Sequence, residues 1–263
     1  MIVEKCAILG NQSLAPNIGL IRLESRCIAP LVAAGQFVHV QIPAAGELML
    51  RRPFSVYEID DSRTQLSIVY QVVGRGSKHI QELKVGEELN LLGPCGQGWR
   101  LPDVHQTQAG GRVLLVGGGI GTAALQLLAA QLATLGYGID FVVGAATARL
   151  LVFNTGLEVL VPGLKLHVCT DDGSAGHRGL TTDLAEALLS HGSYEWLASC
   201  GPEPMLAALA SLAKKKRLAH QVSLEARMAC GVGACLGCVV PTLDGQRRVC
   251  ADGPVFDAEA VVW

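Results

Sequence analysis

The alternation of apolar and polar residues predicts an antiparallel β domain in the first part of the chain. Up to about Leu101, short runs rich in β-branched residues are separated by turn-forming residues. Residues 36–42 alternate strictly, and residues 54–59 are predicted to pair with residues 65–72 across a turn at 60–63. A small closed barrel is the expected result.

The rest of the chain follows a different pattern, in which apolar runs alternate with helical periodicity. Strands separated by helices indicate a parallel, doubly wound sheet. The predicted strands are 112–116, 139–143, 164–169 and 196–200, and the predicted helices are 123–135, 180–189 and 204–218. Because the stretch 102–111 is polar and contains glycine, we place a domain boundary there. The predicted domains are 1–101, 102–218 and 219–263.

Four cysteines near the C-terminus give the most specific chemical signal. Three are spaced Cys-x4-Cys-x2-Cys and a fourth follows at a distance: Cys230, Cys235, Cys238 and Cys250. This is the plant-type ligand spacing of a 2Fe–2S cluster. The glycines between them favour this interpretation, because a loop around a cluster needs backbone N–H groups close to the sulfurs.

A zinc knuckle and a pair of disulfides are the alternatives for these cysteines. Zinc sites usually combine two short Cys-x2-Cys units, whereas three cysteines crowd one loop here. The chain has nine cysteines in total. With four as thiolate ligands, that number suits a reducing cytosol better than a disulfide-bonded secreted protein. The cluster is therefore the favoured interpretation.

A glycine-rich turn between a predicted strand and a predicted helix is typical of a dinucleotide phosphate site. It reads Gly-Gly-Gly-Ile-Gly-Thr over residues 117–122. The match to Gly-x-Gly-x-x-Gly is imperfect, because the last glycine, Gly121, comes one residue early. Cys200 ends another strand of the same predicted sheet, where it could face a nicotinamide; a small buried thiol is the alternative.

Two stretches of the β region suit a flavin diphosphate. In Arg-Arg-Pro-Phe-Ser, residues 51–55, a guanidinium can bind a pyrophosphate, a ring can line a flat ring system and a hydroxyl can bond a ring heteroatom. Gly-Arg-Gly-Ser, residues 74–77, opens a short helical segment whose free N–H groups suit a phosphate. The alternatives are an ordinary edge strand and a serine-capped turn. Together the two stretches favour a flavin site.

Composition excludes some classes of function. Charged residues make up 17% of the chain and the net charge is −2, which does not suit a nucleic-acid-binding protein. The N-terminus lacks a basic region followed by an apolar one, so we expect no signal peptide. Glycines and glutamines interrupt the apolar run 113–136, which favours a strand and phosphate loop over a membrane span. We expect a cytoplasmic protein without membrane contact.

Taken in order, these features resemble the ferredoxin–NADP reductase superfamily. More closely, the chain resembles the iron–sulfur, FAD-containing electron-transfer subunits of NAD-dependent (class 1B) dihydroorotate dehydrogenases. The resemblance spans the whole chain, and its most specific motifs are residues 51–55, 117–122, 200–205 and 223–256. Phe54 stands where the superfamily often has Tyr, and Ser77 where Thr is common, but both keep the ring or the hydroxyl.

The resemblance implies an FAD-binding antiparallel β-barrel, an NAD-binding α/β domain with a doubly wound parallel sheet, and a small 2Fe–2S subdomain, with one FAD and one cluster per chain. The implied FAD residues are Arg52, Pro53, Phe54, Ser55, Val69, Tyr70, Gln71, Gly76 and Ser77. The nucleotide residues are Gly117, Gly118, Gly119, Gly121, Thr122 and Cys200. The cluster ligands are Cys230, Cys235, Cys238 and Cys250. The sequence does not separate NAD from NADP, because Arg149 could meet a 2′-phosphate.

The resemblance also implies the role of a relay. No side chain is identified as a catalytic base, so dihydroorotate oxidation is expected in a partner. Electrons would pass from the FMN of a catalytic dihydroorotate dehydrogenase subunit through the cluster and FAD to NAD+, in pyrimidine (UMP) biosynthesis. The expected assembly is a heterotetramer of two subunits of each kind.

Two alternative functions stay open. The first keeps the same cofactors but changes the electron donor, as in a subunit of a sulfide dehydrogenase, a ferredoxin:NADP oxidoreductase or a hydrogenase. The second is a zinc-stapled binding module with a degenerate nucleotide domain.

Overall fold

The structure is a computed structural model that describes residues 1–43, 48–102, 111–152, 161 and 163–263. The chain forms two compact units. The first comprises residues 1–98, 225–241 and 245–255, and the second comprises residues 99–224, 242–244 and 256–263. Most of the predicted boundary, residues 103–110, lies outside the described residues.

The first unit is built on a seven-stranded sheet whose described strand pairs are antiparallel. The strands are β1 Ile2–Ala15, β2 Ile18–Glu24, β3 Phe37–Gln41, β4 Arg52–Ser55, β5 Glu58–Ile59, β6 Gln65–Gln71 and β7 Glu88–Cys95. Their order is β4-β3-β7-β1-β2-β6-β5, and the edge strand β4 also lies against β6. The sheet therefore curls on itself. One helix, α1 Arg75–Glu82, follows β6.

Strand pairing in this sheet differs in part from the prediction. The predicted strand 36–42 is confirmed as β3. The predicted hairpin of 54–59 with 65–72 is wrong for its first half, because Phe54 lies opposite Val38 on β3, and only Glu58 and Ile59 pair with β6. The edge position of β4 suits Pro53, which has no N–H to offer to a second neighbour.

The second unit contains a seven-stranded sheet flanked by helices. The strands and helices after β7 are, in chain order, β8 Arg112–Gly118, α2 Ala123–Thr134, β9 Gly138–Ala145, β10 Leu164–Thr170, β11 His177–Arg178, α3 Thr181–His191, β12 Trp196–Cys200, α4 Glu203–Lys216, β13 Ala219–Ser223, β14 Val239–Thr242, β15 Gly245–Arg248 and β16 Val255–Asp257. Of these, β14 and β15 form a separate two-stranded sheet. The order β11-β10-β9-β8-β12-β13-β16 makes the seven-stranded sheet doubly wound, and β8 pairs in parallel with both β9 and β12. The predicted strands and helices of this region are confirmed.

The core of this sheet explains why its strands lack alternation. Leu114, Val116 and Val142 on β8 and β9 are fully buried and pack against Leu189 of α3 and Leu209 of α4. Parallel strands covered by helices carry nearly continuous apolar runs. No helix in the described part of the chain is long and apolar enough to cross a bilayer.

The C-terminal residues are shared between the two units. Residues 219–223, which we predicted to open the cluster subdomain, form β13 beside β12 in the second sheet. The loop 225–241 belongs instead to the first unit. The sequence pattern did not show that residues 219–223 belong to the second sheet, because a short apolar strand after a helix could equally open a new subdomain. The division into domains at 1–101, 102–218 and 219–263 stays a prediction about functional modules.

Candidate cofactor sites

A cavity of about 410 Å³ in the first unit brings together most of the predicted flavin residues. It lies beside the edge strand β4, the end of β6 and the start of α1. Its lining is Leu48, Arg52, Pro53, Phe54, Gln71, Val73, Gly74, Arg75, Gly76 and Ser77. An arginine, an aromatic ring and a helix N-terminus around one cavity are the groups that a flavin diphosphate requires.

The two adjacent arginines have different roles. Arg51 donates from Nη1 to the carbonyl oxygens of His39 at 3.1 Å and Asn90 at 3.0 Å, so its guanidinium ties neighbouring strands together. Arg52 lines the cavity, and within the described residues its Nη1 donates to the main chain, to Leu50 at 2.6 Å. Of these two arginines, Arg52 is therefore the one available to a diphosphate, at a cavity that Arg75 also lines.

The α1 N-terminus is organised by Ser77. Its hydroxyl accepts the N–H groups of Val73 at 2.9 Å and Gly74 at 3.2 Å, which closes the turn before the helix. A side chain at Gly76 would meet Nε of Arg52 at 3.4 Å. A glycine here lets the backbone at the helix start lie close to the guanidinium, so that N–H groups and the arginine face one cavity.

Three predicted flavin residues do not line this cavity. Tyr70 is almost fully buried, and its hydroxyl donates to Oδ1 of Asn11 at 2.9 Å while its ring covers Gly19. Its side chain therefore belongs to the interior of the barrel. Val69 is buried and Ser55 is half-buried. Alternation along β6 explains the result for Tyr70, since Gln71 reaches the cavity and Tyr70 faces the other way.

The predicted dinucleotide turn lies at the carboxyl end of β8, where parallel sheets bind ligands. Residues 119–122 form a 3-10 turn that leads directly into α2. Gly119 has a φ of +56°. A Cβ at Gly121 would lie 2.7 Å from the carbonyl group of Cys200 and from the nitrogen of Gly201. Glycine is required because the turn is pressed against the next strand end.

Cys200 and Thr122 lie beside this turn, and both are buried. Cys200 is paired with Gly117 in the sheet and is 1% exposed. Thr122 is fully buried, and its Oγ1 has no hydrogen-bond partner in the described part of the chain. A hydroxyl with an unused donor and acceptor at a phosphate turn fits a nucleotide site. The role of Cys200 near a nicotinamide stays a prediction.

The structure gathers the four predicted cluster cysteines on the loop before β14, which carries Cys230, Cys235 and Cys238, and on the turn after β15, which carries Cys250. Backbone N–H groups point at their sulfurs: Gly233 donates to Sγ of Cys250 at 3.1 Å, and Cys235 donates to Sγ of Cys230 at 3.4 Å. The N–H of Cys250 donates to Sγ of Cys238 at 3.4 Å. Such N–H···S bonds stabilise the charge of iron–sulfur clusters.

The environment of the thiols differs from one cysteine to the next. Backbone hydrogen bonds, first from Val232, lower the pKa of Cys230 to about 6, which favours its thiolate at neutral pH. Burial, together with the neighbouring Cys238 thiol, raises the pKa of Cys250 to about 12. Cys235 is exposed, whereas Cys238 and Cys250 are buried. The loop therefore combines sulfurs near solvent with sulfurs inside the protein.

The donor set fits a binuclear cluster. Among the described residues, no three His, Cys, Asp or Glu side chains converge closely enough to hold one metal ion. A 2Fe–2S cluster does not need such a group, because four cysteines are shared between two irons. All nine cysteines are free thiols. When bound, the cluster would be held by Cys230, Cys235, Cys238 and Cys250.

Three residues next to this loop were missed by the sequence analysis. Arg248 binds both carboxylate oxygens of Asp252 at 2.9 Å and donates to the carbonyl of Gly233 at 3.3 Å. The Arg248 guanidinium lowers the pKa of Asp252 to about 2. His39 of β3 lies directly behind Gly231. The four-residue spacing of Arg248 and Asp252 was visible in the sequence, but the contact of His39 was not.

Two family models match separate parts of the chain. The oxidoreductase FAD-binding domain matches residues 11–99, which contain the cavity. The iron–sulfur cluster binding domain of dihydroorotate dehydrogenase B matches residues 225–262, which contain the four cysteines. The predicted flavin and iron–sulfur modules are thereby confirmed.

Whole-chain relatives agree with these matches. The dihydroorotate dehydrogenase B (NAD+) electron transfer subunits of Geobacillus thermodenitrificans and Bacillus caldolyticus are each 38% identical to this chain, over 98% of both chains compared. Among solved structures, that of an NADH-dependent reduced ferredoxin–NADP oxidoreductase superposes with a TM-score of 0.87 at 28% identity, covering 98% of this chain and 90% of the other. The chain therefore belongs to the family of dihydroorotate dehydrogenase B electron-transfer subunits, with a ferredoxin reductase-like fold.

Proposed function

We propose that this chain is the NAD-reducing subunit of a dihydroorotate dehydrogenase complex in pyrimidine biosynthesis. It receives electrons from the FMN of a catalytic partner and delivers them through its cluster and its FAD to NAD+. The proposed assembly contains two subunits of each kind and lies in the cytoplasm. The names of the relatives support the substrate and the nucleotide.

The observation that carries this proposal is that the flavin cavity and the cysteine loop belong to the same compact unit. The cavity is lined by Arg52 and Ser77, and the loop holds Cys230 and Cys235. A protein that only bound a ligand, without transferring electrons, would not need both sites in one compact unit. Bound flavin supplies the chemistry that joins single-electron to two-electron transfer.

The residues of the chain bind and orient the cofactors. When FAD is bound, Arg52 would neutralise the diphosphate and Phe54 would line the flavin ring, while Ser77 fixes the helix start that would face the phosphate. The glycines of residues 117–122 would let the nucleotide approach the backbone at the end of β8. None of these groups abstracts a proton from carbon, which assigns dihydroorotate oxidation to the partner.

The test is NADH formation from dihydroorotate by this chain co-expressed with the catalytic dihydroorotate dehydrogenase subunit of the same organism. Each chain alone serves as the control. Activity only in the pair supports the relay and its substrate. A pair that forms no NADH, although this chain carries flavin and iron, contradicts the assignment of the donor.

Ferredoxin:NADP oxidoreduction is a second candidate, favoured by the similarity to the solved oxidoreductase at 28% identity. Reduced ferredoxin would then replace the FMN subunit as electron donor. Reduction of NADP+ by reduced ferredoxin, without any partner subunit, would support this candidate. Comparison of NAD+ with NADP+ also tests the exposed Arg149, which follows β9 and could meet a 2′-phosphate.

A further inference from the structure

His39 is a fully buried polar side chain whose polar contact is with the main chain of the cysteine loop. It lies on β3 with 0% exposure, and neither Nδ1 nor Nε2 has a partner at regular hydrogen-bond geometry in the described residues, although the Cys230 main chain is near enough to act on the ring as a hydrogen-bond partner. A neutral imidazole has one donor and one acceptor, and leaving such groups buried and unpaired costs about 1–3 kcal/mol. A residue kept at this cost calls for an explanation.

The ring is uncharged in the folded protein. Burial, and secondly the nearby Arg51 guanidinium, lowers the pKa of His39 to about 4, while hydrogen bonding to the Cys230 main chain acts in the opposite direction. The imidazole is therefore neutral across the physiological range. It acts through its shape and its N–H group rather than through a charge.

The ring packs against the start of the cysteine loop. Gly231 has a φ of +70°, and a Cβ at this position would lie 2.3 Å from Nδ1 and 2.9 Å from Cε1 of His39. Nδ1 is thus the ring atom nearest to the position that a Cβ at Gly231 would take, and the Cys230 main chain lies close to the ring. No side chain fits between the imidazole and the loop.

The main chain of His39 is fixed by the two strands that pair with β3. Its backbone lies opposite Pro53 on β4 and Leu92 on β7, and its carbonyl accepts a hydrogen bond from Arg51 at 3.1 Å. These anchors leave the main chain of His39 little freedom. The ring is therefore a rigid support under the loop.

The turn at Gly231, which packs against His39, orients the N–H groups of the loop. Val232 and Cys235 donate to Sγ of Cys230 at 3.5 and 3.4 Å, within five residues of the contact with His39. The number and direction of such N–H···S bonds set the reduction potential of an iron–sulfur cluster. A shift of the residue 230–231 peptide would change them together.

We infer that His39 is a positioning residue for the iron–sulfur cluster, which holds the residue 230–231 peptide so that the loop N–H groups point at the ligand sulfurs. The polar Nδ1 edge, not only the volume of the ring, performs this role. The inference rests on the proposed binding of the cluster by the four cysteines.

The test compares His39→Leu with His39→Asn, because the asparagine amide nitrogen can replace Nδ1 whereas leucine cannot. His220→Leu is the matched control, since His220 is also buried and bonds Ser199 at 2.8 Å in the other unit. The readouts are the EPR spectrum of the reduced cluster and its midpoint potential, with FAD content as the measure of folding. Iron and sulfide content report cluster loading.

For His39→Leu we expect an altered EPR spectrum and a more negative potential. The ratio of reduced to oxidised cluster at a fixed solution potential should fall about three- to tenfold, the equivalent of one hydrogen bond. His39→Asn should stay close to the wild type, and His220→Leu should leave the cluster unchanged. A wild-type spectrum and potential in His39→Leu would overturn the inference.

A second comparison applies if His39→Leu loses its FAD. The amide of His39→Gln replaces Nε2 rather than Nδ1, so the asparagine variant should be closer to the wild type than the glutamine variant. The reverse order contradicts the inference. Wild-type protein that binds FAD but no iron contradicts instead the proposed cluster site, so the two failures are distinguishable.

Discussion

Gly233 donates its backbone N–H to Sγ of Cys250 across 3.1 Å, although 17 residues separate them in the chain. The hairpin β14–β15 brings this cysteine back, and the N–H of Val249 bonds the carbonyl of Cys238 at 2.9 Å. Hydrogen bonds of the protein itself thus hold the distant fourth cysteine against the loop that carries the other three. This arrangement is the basis of the cluster assignment.

Cys235→Ser should remove the cluster while preserving the flavin. Cys235 is the exposed thiol of the proposed ligand set, so its loss leaves the buried part of the loop intact. We expect bleaching of the cluster absorption and a fall of more than about tenfold in partner-driven NADH formation. NADH-to-dye activity should persist. Cys27→Ser, at another exposed cysteine, is the control. Partner-driven NADH formation retained in Cys235→Ser would contradict the relay model.

Arg52→Gln should weaken FAD binding. Arg52 lines the cavity, and a charge-assisted hydrogen bond to a phosphate contributes about 1.5–3 kcal/mol. The Kd for FAD, measured by fluorescence quenching on apoprotein, should rise about 10- to 100-fold. Arg26→Gln removes an exposed arginine that pairs with Glu24 and should have no effect. Equal affinity in both variants contradicts the site.

Gly121→Ala should damage the nucleotide site alone. The added methyl would lie 2.7 Å from the main chain at Cys200 and Gly201, so the turn must move. We expect this movement to cost about 1–3 kcal/mol of folding free energy. The KM for NADH in dye reduction should rise about tenfold while FAD stays bound. At Gly138, the nearest atom is the flexible Arg112 side chain at 3.3 Å. Gly138→Ala should therefore leave the KM unchanged, and a shared effect would argue against the proposed turn.

Asp140→Asn should destabilise the second unit in a pH-dependent manner. Asp140 is buried and bonds His167 at 2.6 Å, Tyr194 at 3.0 Å and Arg112. Burial alone raises the pKa of this carboxyl, but these partners outweigh it and the net shift is downward. We expect a loss of about 2–3 kcal/mol in the free energy of unfolding at pH 7.

The sign of the pH dependence follows from the lowered pKa. Stabilisation by ionised Asp140 is complete above the unfolded pKa of about 4 and disappears as the pH falls through the lower folded value. Urea unfolding should therefore show a smaller difference between wild type and Asp140→Asn at pH 3 than at pH 7. A difference that does not change with pH would show that the ionised carboxylate is not the stabilising group.

Local patterns predicted the elements whose signals are local. The apolar run at the start of β8, the glycine turn after it and the cysteine spacing each lie within a few residues of sequence, and the structure has them as expected. Residue type also pointed to Arg52 and Phe54, which line the cavity. These predictions needed no information on tertiary packing.

The rest depended on which distant segments meet. Alternation places Phe54 on a strand, but it does not say that β3 rather than β6 is the partner, because register and pairing are set by the whole sheet. In the sequence, His39 was simply one residue of the predicted strand 36–42. Its contact with the loop at Gly231 depends on the tertiary fold. Tyr70 was assigned to FAD with its neighbours, yet its hydroxyl bonds Asn11, 59 residues away.

The most direct test of the central claim is anaerobic addition of dihydroorotate to the purified pair of subunits, followed by EPR of the cluster. We predict that the signal of the reduced 2Fe–2S cluster appears when both subunits are present, and that NAD+ then removes it with formation of NADH. With this chain alone, dihydroorotate should leave the cluster oxidised, while NADH should reduce it. A pair whose cluster is reduced by NADH but not by dihydroorotate would contradict the account.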